Sequence, residues 1–203
     1  MTRRSLRLAA ALAALLTVAG CGGDEEPPAA STSAPAATAP ADAVVTWAGD
    51  VCSGADNLRG AVDDARGSTP PSLDASGALP AQATAEIKAQ ADAVRTAGQT
   101  LVTTLSSPPP EVDAAMAGSQ DDLAAGAARA QAKVDAMATA ASAVTSATTK
   151  ADAEAALKGL RSATIEATTE VTSFADELRA AMATGDPAVR AAFSAAPPCQ
   201  SIS

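Results

Sequence analysis

The 203 residues include no histidine, no tyrosine, two phenylalanines and one tryptophan. The lack of histidine excludes imidazole metal sites and every mechanism built on a histidine base, and so few aromatics leave little material for an aromatic-rich sandwich or a nucleic-acid stacking platform. Large aliphatic side chains are also scarce: Leu, Ile, Val and Phe together number 31, whereas alanine alone numbers 57 and supplies more than half of the apolar residues. A deep core of bulky side chains is therefore not available. Positive charge is short too, with 14 Lys and Arg against 23 Asp and Glu. The length fits one domain of ordinary size.

The basic residues that exist are concentrated at the start. Arg3, Arg4 and Arg7 precede an apolar run from Leu8 to Val18 and the small pair Ala19-Gly20, the pattern of a secretory signal. A membrane-spanning helix needs roughly 20 apolar residues, more than this run offers. Val18-Ala19-Gly20-Cys21 resembles the bacterial lipobox. The resemblance implies that the Cys21 thiol receives a diacylglyceryl group, with palmitate-type acyl chains, and becomes the new N-terminus after cleavage. The alternative is plain secretion with a free Cys21. Thr2-Arg3-Arg4-Ser5-Leu6 resembles a twin-arginine export signal, so export of a folded chain and general secretion are both open. Either route ends on the extracytoplasmic side, and residues 1–20 are expected to be removed.

That removal takes away three arginines and no acids, leaving 11 basic against 23 acidic residues, a net charge of −12. Such a surface is repelled by phosphates and anionic headgroups, so nucleic acid is not an expected partner and the lipid at Cys21 is the expected hold on the cell membrane. Residues 21–40 are mostly Gly, Pro, Ala, Ser and Thr around the cluster Asp24-Glu25-Glu26. They predict a disordered tether with an average reach of roughly 25 Å.

From residue 41 to the end, larger apolar residues recur at spacings of three, four and seven, and no strand-like alternation appears. The prediction is an all-α domain. Val44, Trp47, Val51, Ala55, Leu58 and Val62 line a helix from about Ala41 to Arg66, stopped by Gly67-Ser68-Thr69-Pro70-Pro71. Ile87, Ala91, Val94, Leu101 and Leu105 line a second, from Pro80 to about Leu105. A third and unusually long segment, Glu111 to about Ala147, carries Val112, Met116, Leu123, Ala127, Ala130, Val134, Met137, Ala141 and Val144. Thr149-Lys150-Ala151-Asp152 resembles a capping box that opens a fourth helix, with a seam of Leu157, Leu160, Thr164, Ala167, Val171, Phe174 and Leu178. Asp186-Pro187 is an N-cap followed by proline at the first helical position, predicting a short helix with Val189 and Phe193 inward. Four amphipathic segments with short or proline-rich links predict an antiparallel four-helix-bundle-like domain with a short C-terminal helix. Alanine faces allow close approach but contribute little per methyl, so the bundle needs additional support.

Cysteine supplies a candidate. With Cys21 acylated, Cys52 and Cys199 remain and are expected to form a disulfide in an oxidising compartment, the alternative being two unpaired thiols. The lipobox, the Ala/Pro/Ser/Thr tether, Trp47 five residues before Cys52, and Phe193-Ser194-Ala195-Ala196-Pro197-Pro198-Cys199 near the end together resemble uncharacterised small secreted lipoproteins of actinobacteria. What the resemblance implies is an extracytoplasmic helical protein without an assigned activity or site residues.

The search for chemistry turns first to carboxylates. Asp63-Asp64, Asp121-Asp122 and Asp176-Glu177 are adjacent pairs that diverge by about 100° on a helix. Glu166 and Glu170 share a face, but no Glu-x-x-His pair accompanies them, as a bundle di-metal site requires. They read as solvated faces, and Lys88 with Asp92 and Asp176 with Arg179 read as surface pairs. No phosphate-loop, dinucleotide or nucleophile-elbow pattern is present, and Gly118, Gly126 and Gly159 read as sites of close helix packing. No enzyme, metal or cofactor is expected. The expected function is that of a lipid-anchored, extracytoplasmic, non-enzymatic module contacting a protein or another part of the cell envelope. The alternative is a carrier holding a small apolar ligand in the bundle core around Trp47, Phe174 and Phe193.

Overall fold

In the computed structural model the described chain is a succession of helices. The structure describes residues 40–68, 71–74 and 77–202, with the side chains of 113–117 excepted. The expectations for the signal sequence, Cys21 and the tether lie outside the described residues, as does the inward position of Met116.

Four long helices follow one another: α1 (Asp42–Gly67), α2 (Ala81–Ser106), α3 (Pro110–Ser146) and α4 (Lys150–Thr184). A short α5 (Pro187–Ala195) and a 3₁₀ turn (Pro197–Ser201) complete the chain, and no strand occurs among the described residues. Each long helix packs on its neighbours in sequence, and α1 closes the ring against α4. The domain is an all-α, antiparallel four-helix bundle with a short C-terminal helix.

Local chemistry sets the ends. Pro108 and Pro109 follow α2, and Pro110 starts α3 with no N–H to lose from the first turn. The Thr149 hydroxyl oxygen accepts from the Asp152 backbone N–H at 3.2 Å and donates to the Asp152 carboxylate at 2.6 Å, which caps α4. The Asp186 carboxylate accepts from the Ala188 N–H at 2.8 Å and caps α5. Between α1 and α2, Asp74 and Ala78 are joined by backbone and side-chain bonds in a turn that places Gly77 at φ 84°. A Cβ there would lie 2.4 Å from that of Lys150. Glycine therefore both permits the positive φ and lets this loop sit on the first turn of α4.

Every described position of the predicted α1, α2 and α3 stripes is buried. The main core gathers Trp47, Val51, Leu58, Leu101, Leu123, Phe174, Leu178 and Phe193 at the end where α1 begins and α5 packs. A smaller cluster of Ile87, Ala91, Ala138, Ala141 and Val144 fills the opposite end. Close approach is real where glycine meets a helix: a Cβ on Gly54 would sit 3.6 Å from Leu101 Cα. Of the three glycines expected at packed positions, only Gly126 is one, facing Phe174 and Glu177. Gly118 and Gly159 have open space where a Cβ would go, because they fall outside the apolar stripes of α3 and α4.

Candidate functional site

The site arises from unequal helix lengths. α1 stops at Gly67, with Ser68 as its C-cap in an extended conformation. Its antiparallel neighbour α4 continues to Lys150. The α4 seam below Thr164 therefore outruns its cover, and Leu157 and Leu160 are left half-buried although they continue the stripe of Ala167, Val171 and Phe174. The uncovered space is a half-enclosed cleft of about 700 Å³ bounded by the end of α1, the start of α2, and the inner faces of α3 and α4.

Its floor is apolar: Ile87 and Ala91 from α2, Met137 and Ala141 from α3, Leu157 and Leu160 from α4. Polar groups stand on the rim. Arg66 ends α1, Arg161 and the exposed Ile165 project from α4, and Glu86 and Gln90 stand on α2. Ile165, 63% exposed, is the single large hydrophobic residue left in solvent among those described. The Gln90 amide donates to the Ser68 hydroxyl at 2.5 Å, and Glu86 accepts from Gln82 at 2.9 Å. Thr164, a buried polar residue beside the floor, satisfies its hydroxyl on the Leu160 carbonyl at 2.8 Å. It is thus committed to the helix and offers no free nucleophile.

The two rim arginines differ from most cations of the domain. Arg59, Arg95, Arg129, Lys133, Lys150 and Arg179 each stand within 4 Å of a carboxylate. Arg66 and Arg161 belong to no ion pair among the described residues, nor do Lys88, Lys158 and Arg190, but of these five only the two arginines line the cleft. Two guanidinium groups thus border one apolar depression, and the one carboxylate on its rim, Glu86, pairs with neither.

The other singled-out residues fall elsewhere. Cys52 and Cys199 are joined as a disulfide with Cα atoms 5.1 Å apart, tying α1 to the C-terminal turn. Trp47, Phe174 and Phe193 belong to the main core. All three are buried, with the rings of Trp47 and Phe193 edge to face at 5.9 Å and the indole N–H donating to the Thr104 carbonyl at 3.0 Å. Trp47 also borders an open surface depression beside Pro108 and Pro109.

The carboxylates form a surface ladder. Arg129 reaches Glu170 at 3.1 Å and Glu177 at 2.5 Å, while Lys133 reaches Glu166 at 3.0 Å, all between α3 and α4. Hydrogen bonding to Glu170, then the charge of Glu177, raises the Arg129 pKa above its usual value. Asp176 pairs with Arg179 as expected. Lys88 and Asp92 do not pair: Asp92 lies 3.9 Å from Arg95 instead. No group of three or more metal-ligating side chains converges among the described residues, and no described helix is long and apolar enough to cross a membrane.

The cleft itself was missed from sequence. Its signal was present in the length mismatch, since the α4 seam begins at Leu157 while the α1 stripe opposite it ends at Val62. Comparison with known proteins adds nothing to the geometry: no protein-family model, no curated protein and no solved structure matches the chain.

Proposed function

We propose that the chain is a lipid-anchored extracytoplasmic protein whose helical domain acts by binding and not by catalysis. The anchor rests on the leader and the lipobox at Cys21. The cleft carries the binding reading. A concave, half-enclosed depression of about 700 Å³ has the size of small-molecule sites, about 300–1,000 Å³, with a contiguous apolar floor beside the buried Thr164 and charged groups at its mouth. Its lining offers surface to cover and charge to match, and its hydroxyl and amide groups are already engaged.

Of the two modes expected from sequence, contact with an envelope partner and carriage of a small ligand, the cleft favours the second. A docking face is commonly flat with a protruding anchor, whereas this one is recessed. The ligand place moves from the aromatic core to the far end of the bundle, about 36 Å along α1 from Asp42.

Intact mass spectrometry of protein taken from native membranes tests both parts. Under denaturing conditions a diacylglyceryl mass on Cys21 is expected, with Cys52 and Cys199 alkylated only after reduction. Under native conditions a small retained mass is expected, lost from a variant whose cleft is filled. An unlipidated chain overturns the anchor, and a bare chain in every preparation overturns the binding reading.

A further inference from the structure

The binding reading leaves the ligand's chemistry open, and the rim narrows it. We infer that the cleft takes a long-chain fatty carboxylate, its hydrocarbon lying on the floor of Met137, Leu157 and Leu160 and its acidic head beside Arg66 and Arg161. This deepens the binding proposal and rests on it.

Charge complementarity selects the head. Beyond residue 20 the chain has 23 acidic and 11 basic residues, and six of those eleven cations stand within 4 Å of a carboxylate. Arg66 and Arg161 are among the five that do not, and of those five they alone border this depression. Glu86, the acid on the opposite rim, is bound by Gln82 and joins neither arginine. Unpaired guanidinium groups beside an apolar surface favour a ligand that brings its own anion, and the planar fork of arginine matches a carboxylate.

Shape selects the tail. The floor is formed by flexible and branched aliphatics, Met137 among them, and contains no aromatic plate for a ring to stack on. Met, Leu and Ile side chains accommodate a chain of methylenes without demanding one register. The exposed Ile165 at the mouth extends the apolar track past the rim. A fully ionised small ligand would leave this floor wet, and a neutral hydrocarbon would leave the arginines unmatched.

The test uses the full-length protein in nanodiscs of neutral phosphatidylcholine, labelled with a diazirine-bearing hexadecanoate and mapped by peptide mass spectrometry. Labels are expected on the peptides that carry Met137 and Leu160. Shorter carboxylates should compete less well, by up to about fourfold per methylene removed. Hexadecanol should compete less well than hexadecanoate, and the double variant Arg66→Gln, Arg161→Gln should erase that preference, each exposed arginine accounting for about fivefold or less. Leu157→Trp, which fills the cleft from its floor and keeps both charges, should abolish labelling while helix content and melting temperature stay near those of the parent. Equal competition by hexadecanol overturns the carboxylate assignment and leaves the cleft as an apolar binding site. Labels spread over the surface and indifferent to Leu157→Trp overturn the binding reading as well. Displacement by an acidic apolar peptide but not by hexadecanoate overturns the small-ligand class.

Discussion

At the scale of single residues, the glycines of α3 and α4 separate two effects that share one substitution. Alanine in place of a helical glycine gains about 0.5–1 kcal/mol from the unfolded chain's lost freedom. At Gly159 nothing lies within 4 Å of the added methyl, so Gly159→Ala should raise stability by about that amount. At Gly126 the methyl would come within 3.1 Å of the ring of Phe174, which is buried and cannot yield, and within 2.2 Å of the Glu177 carboxylate that Arg129 holds. Overpacking of this kind costs about 1–3 kcal/mol, and Gly126→Ala should be destabilising on balance. Urea unfolding followed through Trp47, the chain's single tryptophan, measures both, and the same sign for the two variants would contradict the packing described. Arg129 adds a pH statement. Its raised pKa means that the ladder's contribution is complete below the ordinary arginine value and lost only above it. With no histidine in the chain, the unfolding free energy should therefore be nearly level from pH 6 to about pH 8.

At the scale of elements, the caps and stripes were legible because each is written in neighbouring residues. Thr149 and Asp152, or Asp186 and Pro187, carry their geometry locally, and the spacing of Val44, Trp47, Val51 and Leu58 states which face of α1 turns inward. Thr149→Ala removes an acceptor for the first turn of α4 and should cost about 1 kcal/mol. Amide exchange is expected to quicken across residues 150–157, with little change near Phe174; uniform acceleration would argue against a local cap. What the sequence did not disclose is which neighbour covers a stripe. Leu157 and Leu160 obey the same period as Val171 and Phe174, and only the early stop of α1 leaves them half-buried over the cleft. Periodicity likewise could not tell that Asp92 lies nearer Arg95 than Lys88, since both partners share its face. The aromatics were legible as inward residues, but their burial together is a property of how α1, α4 and α5 pack and not of any local motif.

At the scale of the whole molecule, the two ends of the bundle are held by different means. At the aromatic end, Cys52–Cys199 closes a loop of 147 residues, which in the chain-entropy model is worth up to about 5 kcal/mol. The same end has the Trp47–Phe193 contact and the Arg179 guanidinium, which donates to the Ile202 carbonyl at 2.8 Å and holds the C-terminal turn on α4. The cleft end has a small cluster rich in alanine, the Gly77 turn and no covalent tie. Opening should therefore begin there: amides in 84–92 and 141–160 are expected to exchange through small local openings, while those in 47–58 and 171–178 wait for global unfolding. Replacing both cysteines by alanine, Cys52→Ala with Cys199→Ala, should lower global stability by several kcal/mol, to a ceiling of about 5, and bring the protection of the aromatic end down towards that of the cleft end. If the oxidised protein instead exchanged evenly along all four helices, the disulfide would not be what separates a firm end from a yielding one. A binding cleft at the yielding end has a physical consequence of its own. Its ligand would bind and stabilise the part of the fold that the disulfide does not reach, so hexadecanoate should slow exchange chiefly in 84–92 and 141–160 and leave the aromatic end unchanged.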